Sequence, residues 1–453
     1  MSVALLVVTC LGTGLAIRLL RRLPRLVFVA SLVGAVALAV ILSTASDAPI
    51  YFVGRALTLD VGARAFLWLA MGIAAALAFF GPLTFEPAAS SPSAIIANSQ
   101  GAFFFWSLAP LVVAIVLDSF PLAVFFWAIG LIVLMMMATP RREGRVGGAA
   151  QFLLLTVVAV ACLFLFNRLM ELYPLTPENL DLIRTAVIFL SLGLGLLLAV
   201  VPLHIWLGPL ADEMPPLGVA FLVGVAQPVG LWLLFQQMSA SQWLIERTAL
   251  LTILLFAGGL TTMIGALLAL TERRDGRFIA FVSLVALGQA LIGLSLGTRV
   301  GLASALLAIL NRAVGVALIA GGFALVRHHP ERRWQVVGGI TILAGGLSLA
   351  GIPPMLGFAA EWSIYRDLAA SNLFLVVLML ASNAVALLAT LHAAWPLFVE
   401  PGSATETGEF KIVPYLSAAV ALVLLLIVIL AGIYPHAIAE PLVAALGTAS
   451  YLK

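Results

Sequence analysis

A charged side chain inside a long apolar run is rare enough to ask for a chemical reason, and two such residues stand out in this sequence. Arg312 lies about ten residues into an apolar stretch that begins near Leu302. In a helix rising 1.5 Å per residue it is then ~15 Å from the boundary, too deep for its guanidinium to reach water comfortably. Glu361 follows a proline pair in the stretch Gly351-Ile-Pro353-Pro354-Met-Leu-Gly-Phe358-Ala-Ala-Glu361-Trp362. A lone charge in hydrocarbon is costly, so Arg312 and Glu361 are expected to pair. Such a pair could fasten helices or take part in moving protons, and the residues alone leave both open. A second cluster joins His204, in Val201-Pro-Leu-His-Ile-Trp206, with Asp212 and Glu213. Imidazole titrates near neutral pH, so this cluster could admit protons to an interior path, or could be a helix-end histidine beside a solvated loop. Gln227 and Pro228 bring an amide and a missing backbone donor into the middle of another apolar run. His328 and His329 belong to a basic loop at the depth of lipid headgroups. No metal-ligand spacing, phosphate-cradling glycine loop or nucleophile with its base is visible. Cys10 and Cys162 sit within apolar runs and offer no disulfide framework, so no cofactor is expected.

The elements that must position these groups are membrane helices. Of the residues, 63% are apolar and 9% charged, with a mean hydropathy of +1.18, which excludes a soluble globular chain. The net charge of +3 gives no basic surface for nucleic acid, and Lys411 and Lys453 are the only lysines. A bilayer core takes ~20 apolar residues in helix, because an unpaired amide there costs several kcal/mol. Apolar runs near 3–16, 26–42, 65–80, 102–117, 121–138, 149–166, 183–201, 217–236, 249–270, 278–296, 302–325, 336–368, 373–399 and 413–433 predict an all-α integral membrane protein of about fourteen spans. The first run has arginines after it and none before it, the reverse of a signal peptide, and reads as a retained span. Residues 336–368 are too many for one unbroken crossing and must be interrupted at Pro353 and Pro354. The clusters Arg18/Arg21/Arg22/Arg25, Arg141/Arg142/Arg145, Arg273/Arg274/Arg277 and Arg327/Arg332/Arg333 all follow odd-numbered spans. Short basic loops stay on the cytoplasmic side, so both termini are expected on the outer face. The stretches Gly81 to Ser99 and Glu400 to Glu409 read as connectors. Small residues such as Gly258-Gly259, Gly265, Gly338-Gly339 and Gly345-Gly346 are expected to let helices approach closely. Proline interruptions fall in both halves of the chain. That pairing points to an inverted-repeat transporter with its pathway at the breaks.

At these residues the chain resembles the antiporter-like membrane subunits shared by respiratory complex I, membrane-bound hydrogenases and formate hydrogenlyases, and multisubunit cation/proton antiporters. The likeness covers roughly Asp118 to Trp362. Pro202-Leu-His204-Ile-Trp206-Leu207, with Pro215, Gly224 and Gly230 downstream, follows one family signature, and Gly351-Ile-Pro-Pro-x-x-Gly-Phe358 follows the second. Glu361-Trp362 resembles the hydrogenase-type branch. The resemblance implies fourteen core helices, two inverted five-helix repeats with a broken helix in each, and a central polar axis for protons. It divides the chain into peripheral helices at 1–101, a first repeat at 102–236, a second at 237–399, and a last helix and tail at 400–453. Departures from the family pattern concern the switchable groups. Trp127-Ala128 stands where the family has Trp-Glu, Pro228 where it has the pumping lysine, and Asn311-Arg312-Ala313-Val-Gly-Val316 where it has Asn-His-Ala-x-x-Lys. Arginine stays protonated and cannot relay by titrating. The expectation is a membrane-arm subunit, without an active site of its own, in a proton-translocating electron-transfer complex of a bacterial-type energy-coupling membrane. It would be partnered by other membrane subunits and lipid, with weakened or lost pumping. The alternative is the membrane part of a cation/proton antiporter or of an inorganic-carbon uptake complex.

Overall fold

Apolar runs with no water to bond their amides must satisfy them internally, and helices do so segment by segment. The computed structural model describes residues 2–46, 50–52, 54–84, 99–138, 147–176, 178–329, 331–399 and 412–446. Arg141, Arg142, Arg145, Lys411, Lys453, most of the Gly81 to Ser99 connector and the Glu400 to Glu409 connector lie outside the described residues.

The first half holds α1 (Ser2–Leu19), α2 (Pro24–Thr44), α3 (Val61–Phe80), α4 (Gln100–Val116), α5 (Phe120–Met135), α6 (Gly148–Leu172), α7 (Leu180–Leu198), α8 (Leu207–Glu213), α9 (Pro216–Phe221) and α10 (Gln227–Ala240). The second holds α11 (Trp243–Glu246), α12 (Leu250–Thr271), α13 (Asp275–Ser295), α14 (Arg299–His328), α15 (Arg332–Leu349), α16 (Leu356–Ala369), α17 (Leu373–Ala394), α18 (Pro396–Val399), α19 (Ile412–Ile433) and α20 (His436–Leu446). Among the described residues, 10 helical stretches are long and apolar enough to cross a membrane, and Val3–Leu19, Gln100–Val116 and Phe120–Met135 are shorter apolar helices. The chain is a multi-pass, all-α membrane protein. A hairpin that the sequence reading did not foresee joins β1 (Ile50–Phe52) to β2 (Arg55–Leu57), antiparallel, with Tyr51 opposite Ala56.

Several helix starts carry side-chain caps that take up orphan amides. Asp60 accepts from Ala63 N at 2.6 Å, Thr298 Oγ1 from Gly301 N at 3.0 Å and Asn372 from Leu375 N at 3.1 Å. Burial separates centre from periphery. An 18-residue apolar stretch within Pro216–Ala240 and one within Asp275–Ser295 are buried throughout, and one within Arg299–His328 is 89% buried, whereas those within Arg25–Thr44 and Val413–Ile433 are 28% buried. The former three make the heart of the bundle and the latter two face outward. Glycines set the close approaches, as expected. A Cβ on Gly258 would stand 2.7 Å from the Gly288 carbonyl, bringing α12 against α13, and one on Gly338 would stand 2.8 Å from the Gly322 carbonyl, bringing α15 against α14.

Both proline regions interrupt helices. After α7, Ala199 turns left-handed at φ 61°, and the chain passes through a tight turn at Leu203–Trp206 before α8 and α9. After α15, Gly351 takes φ +67° and helix resumes only at Leu356. Positive φ costs glycine nothing for want of a Cβ. The break expected at Pro228 is milder. Leu222–Ala226 widens into a π turn between α9 and α10, and the rod continues through Pro228 without unwinding. A π turn absorbs the missing proline amide by shifting the hydrogen-bond register by one residue.

Candidate functional site

Carbonyls freed at a helix break inside a membrane need donors, and indole and amide side chains supply them here. Trp206 Nε1 donates to Leu196 O at 2.7 Å and Gln227 Nε2 to Leu197 O at 3.1 Å, both at the end of α7. Trp127 Nε1 donates to Ala226 O at 2.7 Å, at the last residue of the π turn. At the second break, Asn311 Nδ2 donates to Ser348 O at 3.1 Å while Ser348 Oγ donates to Asn311 Oδ1 at 2.5 Å, fastening α14 to the end of α15. The Trp127-Ala128 departure therefore leaves a tryptophan with a structural task.

Arg312 is 1% exposed on α14. Its Nη2 donates to Gln227 Oε1 at 2.5 Å and to Ser283 Oγ at 3.4 Å. Ser283 can accept because its own hydroxyl proton goes to Ala280 O at 2.7 Å. Gln227 is thus held at both ends of its amide, the oxygen on the guanidinium and the nitrogen on the end of α7.

Glu361, on α16, is fully buried, and three donors converge on its carboxylate. Gln289 Nε2 of α13 donates to Oε1 at 2.5 Å, and Tyr365 Oη and Asn383 Nδ2 of α16 and α17 donate to Oε2. Cross-links close the cluster: Gln289 Nε2 also reaches Asn383 Oδ1 at 3.1 Å, and Asn383 Nδ2 reaches Tyr365 Oη at 2.8 Å. Gly351 packs directly against the carboxylate, where a side chain would collide with it.

The expected Arg312 to Glu361 pair is not formed. Each group is claimed by neutral partners, Arg312 by Gln227 and Ser283, Glu361 by Gln289, Tyr365 and Asn383. The reason lies in helix packing: α13 supplies Ser283 and Gln289 six residues apart, ~9 Å along its axis, and hands one to each charge. Nor do the His204 neighbours gather into one group. Asp212 bonds Arg277 at 2.6 Å and Arg274 at 2.8 Å, while Glu213 accepts from Gly148 N at 2.7 Å and Ala149 N at 2.9 Å, capping α6. Asp212 draws the Arg274 guanidinium still further above its ordinary pKa. His204 lies in the turn at Leu203–Trp206. Pro228 packs with Phe66, Leu69 and Ile115, and Pro353 and Pro354 lie in the interruption between α15 and α16. Sequence reasoning missed Gln289, Asn383, Tyr365, Ser283 and Ser348; the signal available was a neutral polar residue inside an apolar run, which costs less to bury than a charge and so marks a site less sharply. No group of three or more His, Cys, Asp and Glu among the described residues could hold a metal ion.

This arrangement, a buried carboxyl in a cage of donors and a buried guanidinium on an amide, is set across broken and central helices. Comparison with known proteins bears on the chain as a whole. NADH-quinone oxidoreductase subunit N of Desulforudis audaxviator (strain MP104C) is 27% identical over 352 residues, 69% of this chain and 68% of that protein. Formate hydrogenlyase subunit 3 of Escherichia coli (strain K12) is 26% identical over 253 residues, 50% of this chain and 41% of that protein, so the chain spans less than half of that relative. A chain of the Mrp complex from Dietzia sp. DQ12-45-1b shares the fold, with a TM-score of 0.79 over 99% of this chain and 97% of that one at 17% identity. The profile described as NADH:quinone oxidoreductase/Mrp antiporter, TM, matches residues 117–386. With more than half its length so matched, the chain belongs to the NADH:quinone oxidoreductase/Mrp antiporter transmembrane family.

Proposed function

We propose that this chain is a membrane-arm, antiporter-like subunit of a proton-translocating electron-transfer complex of the complex I or hydrogenase kind, with weakened proton conduction of its own. The observation that carries the reading is the make-up of the buried polar groups: Glu361 is the one carboxyl among those of the described residues, and Arg312, Gln227, Gln289, Asn311 and Asn383 supply charge or hydrogen bonds without titrating near neutral pH. A proton relay needs groups that take a proton and give it up. Glu361 can exchange one within its own cage, but any step toward Gln227 meets the fixed positive charge of Arg312. The same reading assigns fourteen spans and two inverted repeats at 102–236 and 237–399, with both termini on the outer face, and it places His204, Asp212 and Glu213 at the cytoplasmic rim. The arginine clusters and the paired interruptions support it.

The test has two parts. The complex is isolated in mild detergent through this chain, and iron–sulfur absorbance is expected in the purified material. A preparation free of it but holding a zinc-containing soluble partner would overturn the electron-transfer reading. The complex is then reconstituted in proteoliposomes with Glu361→Gln. Protons moved per electron are expected to stay unchanged, and a lower ratio with assembly intact would restore a pumping role.

A further inference from the structure

Away from the polar groups, an apolar groove of about 180 Å³ runs between α14, α15 and α19. Val337, Ile340 and Ala344 line it from α15, and Ala418, Ala421 and Leu422 from α19. Leu318 of α14 backs it and is fully buried, while Ile340 and Leu422 are half exposed, so the groove opens on the outward flank. Its one polar wall group, the Thr341 hydroxyl, already donates to Val337 O at 2.7 Å. Water needs two to four polar partners, whereas an apolar cavity of ~150 Å³ stays dry and takes an apolar guest. The groove therefore suits hydrocarbon, and the medium on its open side is hydrocarbon.

Helical spacing carries both walls to one headgroup-level cluster. Arg333 lies one turn before Val337 and Tyr415 one turn before Ala418, on the same faces. Arg333 Nη1 donates to Tyr415 Oη at 2.9 Å, and its guanidinium carbon stands 5.4 Å from the Trp334 ring centre and 5.8 Å from that of Tyr415. Arg333 also bonds Glu331 at 2.6 Å, and Arg332 beside it leaves the segment one positive charge in excess of its acid. Tryptophan, tyrosine and arginine together at a span's end mark the membrane interface. From Arg333 to Ala344 the helix rises ~16 Å, the depth of one leaflet's half of a ~30 Å core.

We infer that the groove seats one acyl chain of a glycerophospholipid whose phosphate lies at Arg333. The inference stands apart from any role in proton movement. Its test uses the full chain in its native membrane, loaded with phosphatidylethanolamine or phosphatidylglycerol carrying a photoreactive group midway along one chain, followed by mass spectrometry of the labelled peptides. Labelling at Ile340, Ala344 and Leu422 is expected to exceed that at the lipid-exposed Val157 of α6 several-fold. Arg333→Gln should bring it down to the Val157 level, and Ala421→Trp, which fills the groove, should abolish it with Val157 unchanged. Should Ala421→Trp fail to fold, Ile340→Trp at the exposed rim serves instead. Equal labelling of groove and Val157, or labelling indifferent to Arg333→Gln, would make the contact ordinary bulk lipid and overturn the assignment. So would cross-linking of the groove residues to a neighbouring subunit in place of lipid.

Discussion

Arg312 and Glu361 were legible as buried charges, the first because nothing else in 302–325 carries one and the second because it follows the proline break, but their partners were not. Partner choice depends on which faces of α13, α16 and α17 meet, and hydropathy holds no record of that. The geometry gives contrasting outcomes at position 361. Glu361→Gln keeps the shape and an acceptor oxygen, and the complex is expected to assemble to within about twofold of the native yield. Glu361→Leu removes the acceptor of the Tyr365 hydroxyl and leaves Gln289 and Asn383 only their bonds within the cage, at ~1–3 kcal/mol for an orphaned buried donor, so assembly should fall well below that of Glu361→Gln. Blue-native electrophoresis of solubilised membranes reads both. At the second charge, Gln227→Ala takes away the 2.5 Å acceptor of a buried guanidinium. Hydrogen bonds to charged groups contribute about 1.5–3 kcal/mol, and the midpoint of thermal inactivation in detergent should fall accordingly. A melting curve unchanged by Gln227→Ala would show that Arg312 has another anchor.

At the scale of elements, the helices fall where the apolar runs do, since burial in lipid leaves the backbone no other choice. The interruptions followed the prolines. Two features escaped: the π turn at Leu222–Ala226, because Pro228 marks a lost amide without saying whether the helix breaks or widens, and the β1–β2 hairpin, whose three-residue strands are too short to show a period. The glycines of the second break give an element-level prediction. Gly351→Ala forces a Cβ into positive φ and against the Glu361 carboxylate, and should cost more than about 1 kcal/mol. Gly357→Ala drives a Cβ into the Ser348 carbonyl beside Asn311, so it should prevent assembly outright. The amount of chain in the intact complex, relative to the unassembled pool, ranks the two.

On the scale of the whole molecule, the bundle keeps its polar side chains among its most buried helices and ties one end together with charge. Asp212 links α8 to Arg274 and Arg277, Glu213 caps α6, and Arg327 bonds Asp275 at 2.6 Å, so α6, α8, α13 and α14 meet at one rim. The arginines of that rim were read from sequence as a topological signal. Their pairing with acids was not, because Asp212 on α8 and Asp275 on α13 meet these arginines only in the fold. Cys10 and Cys162 are buried, which makes cysteine labelling a clean probe of orientation. Arg273→Cys should react with a membrane-impermeant maleimide from the cytoplasmic side and Ser2→Cys from the outer side. Reaction of both from the same side would dismiss the proposed topology. The Gln227 amide grips the last turn of α7 with its nitrogen and a permanent cation with its oxygen, so a displacement of that turn drags charge through the transmembrane field. At ~2.3 kcal/mol per elementary charge per 100 mV for a full crossing, any movement of the turn after α7 that carried Arg312 with it would respond to voltage.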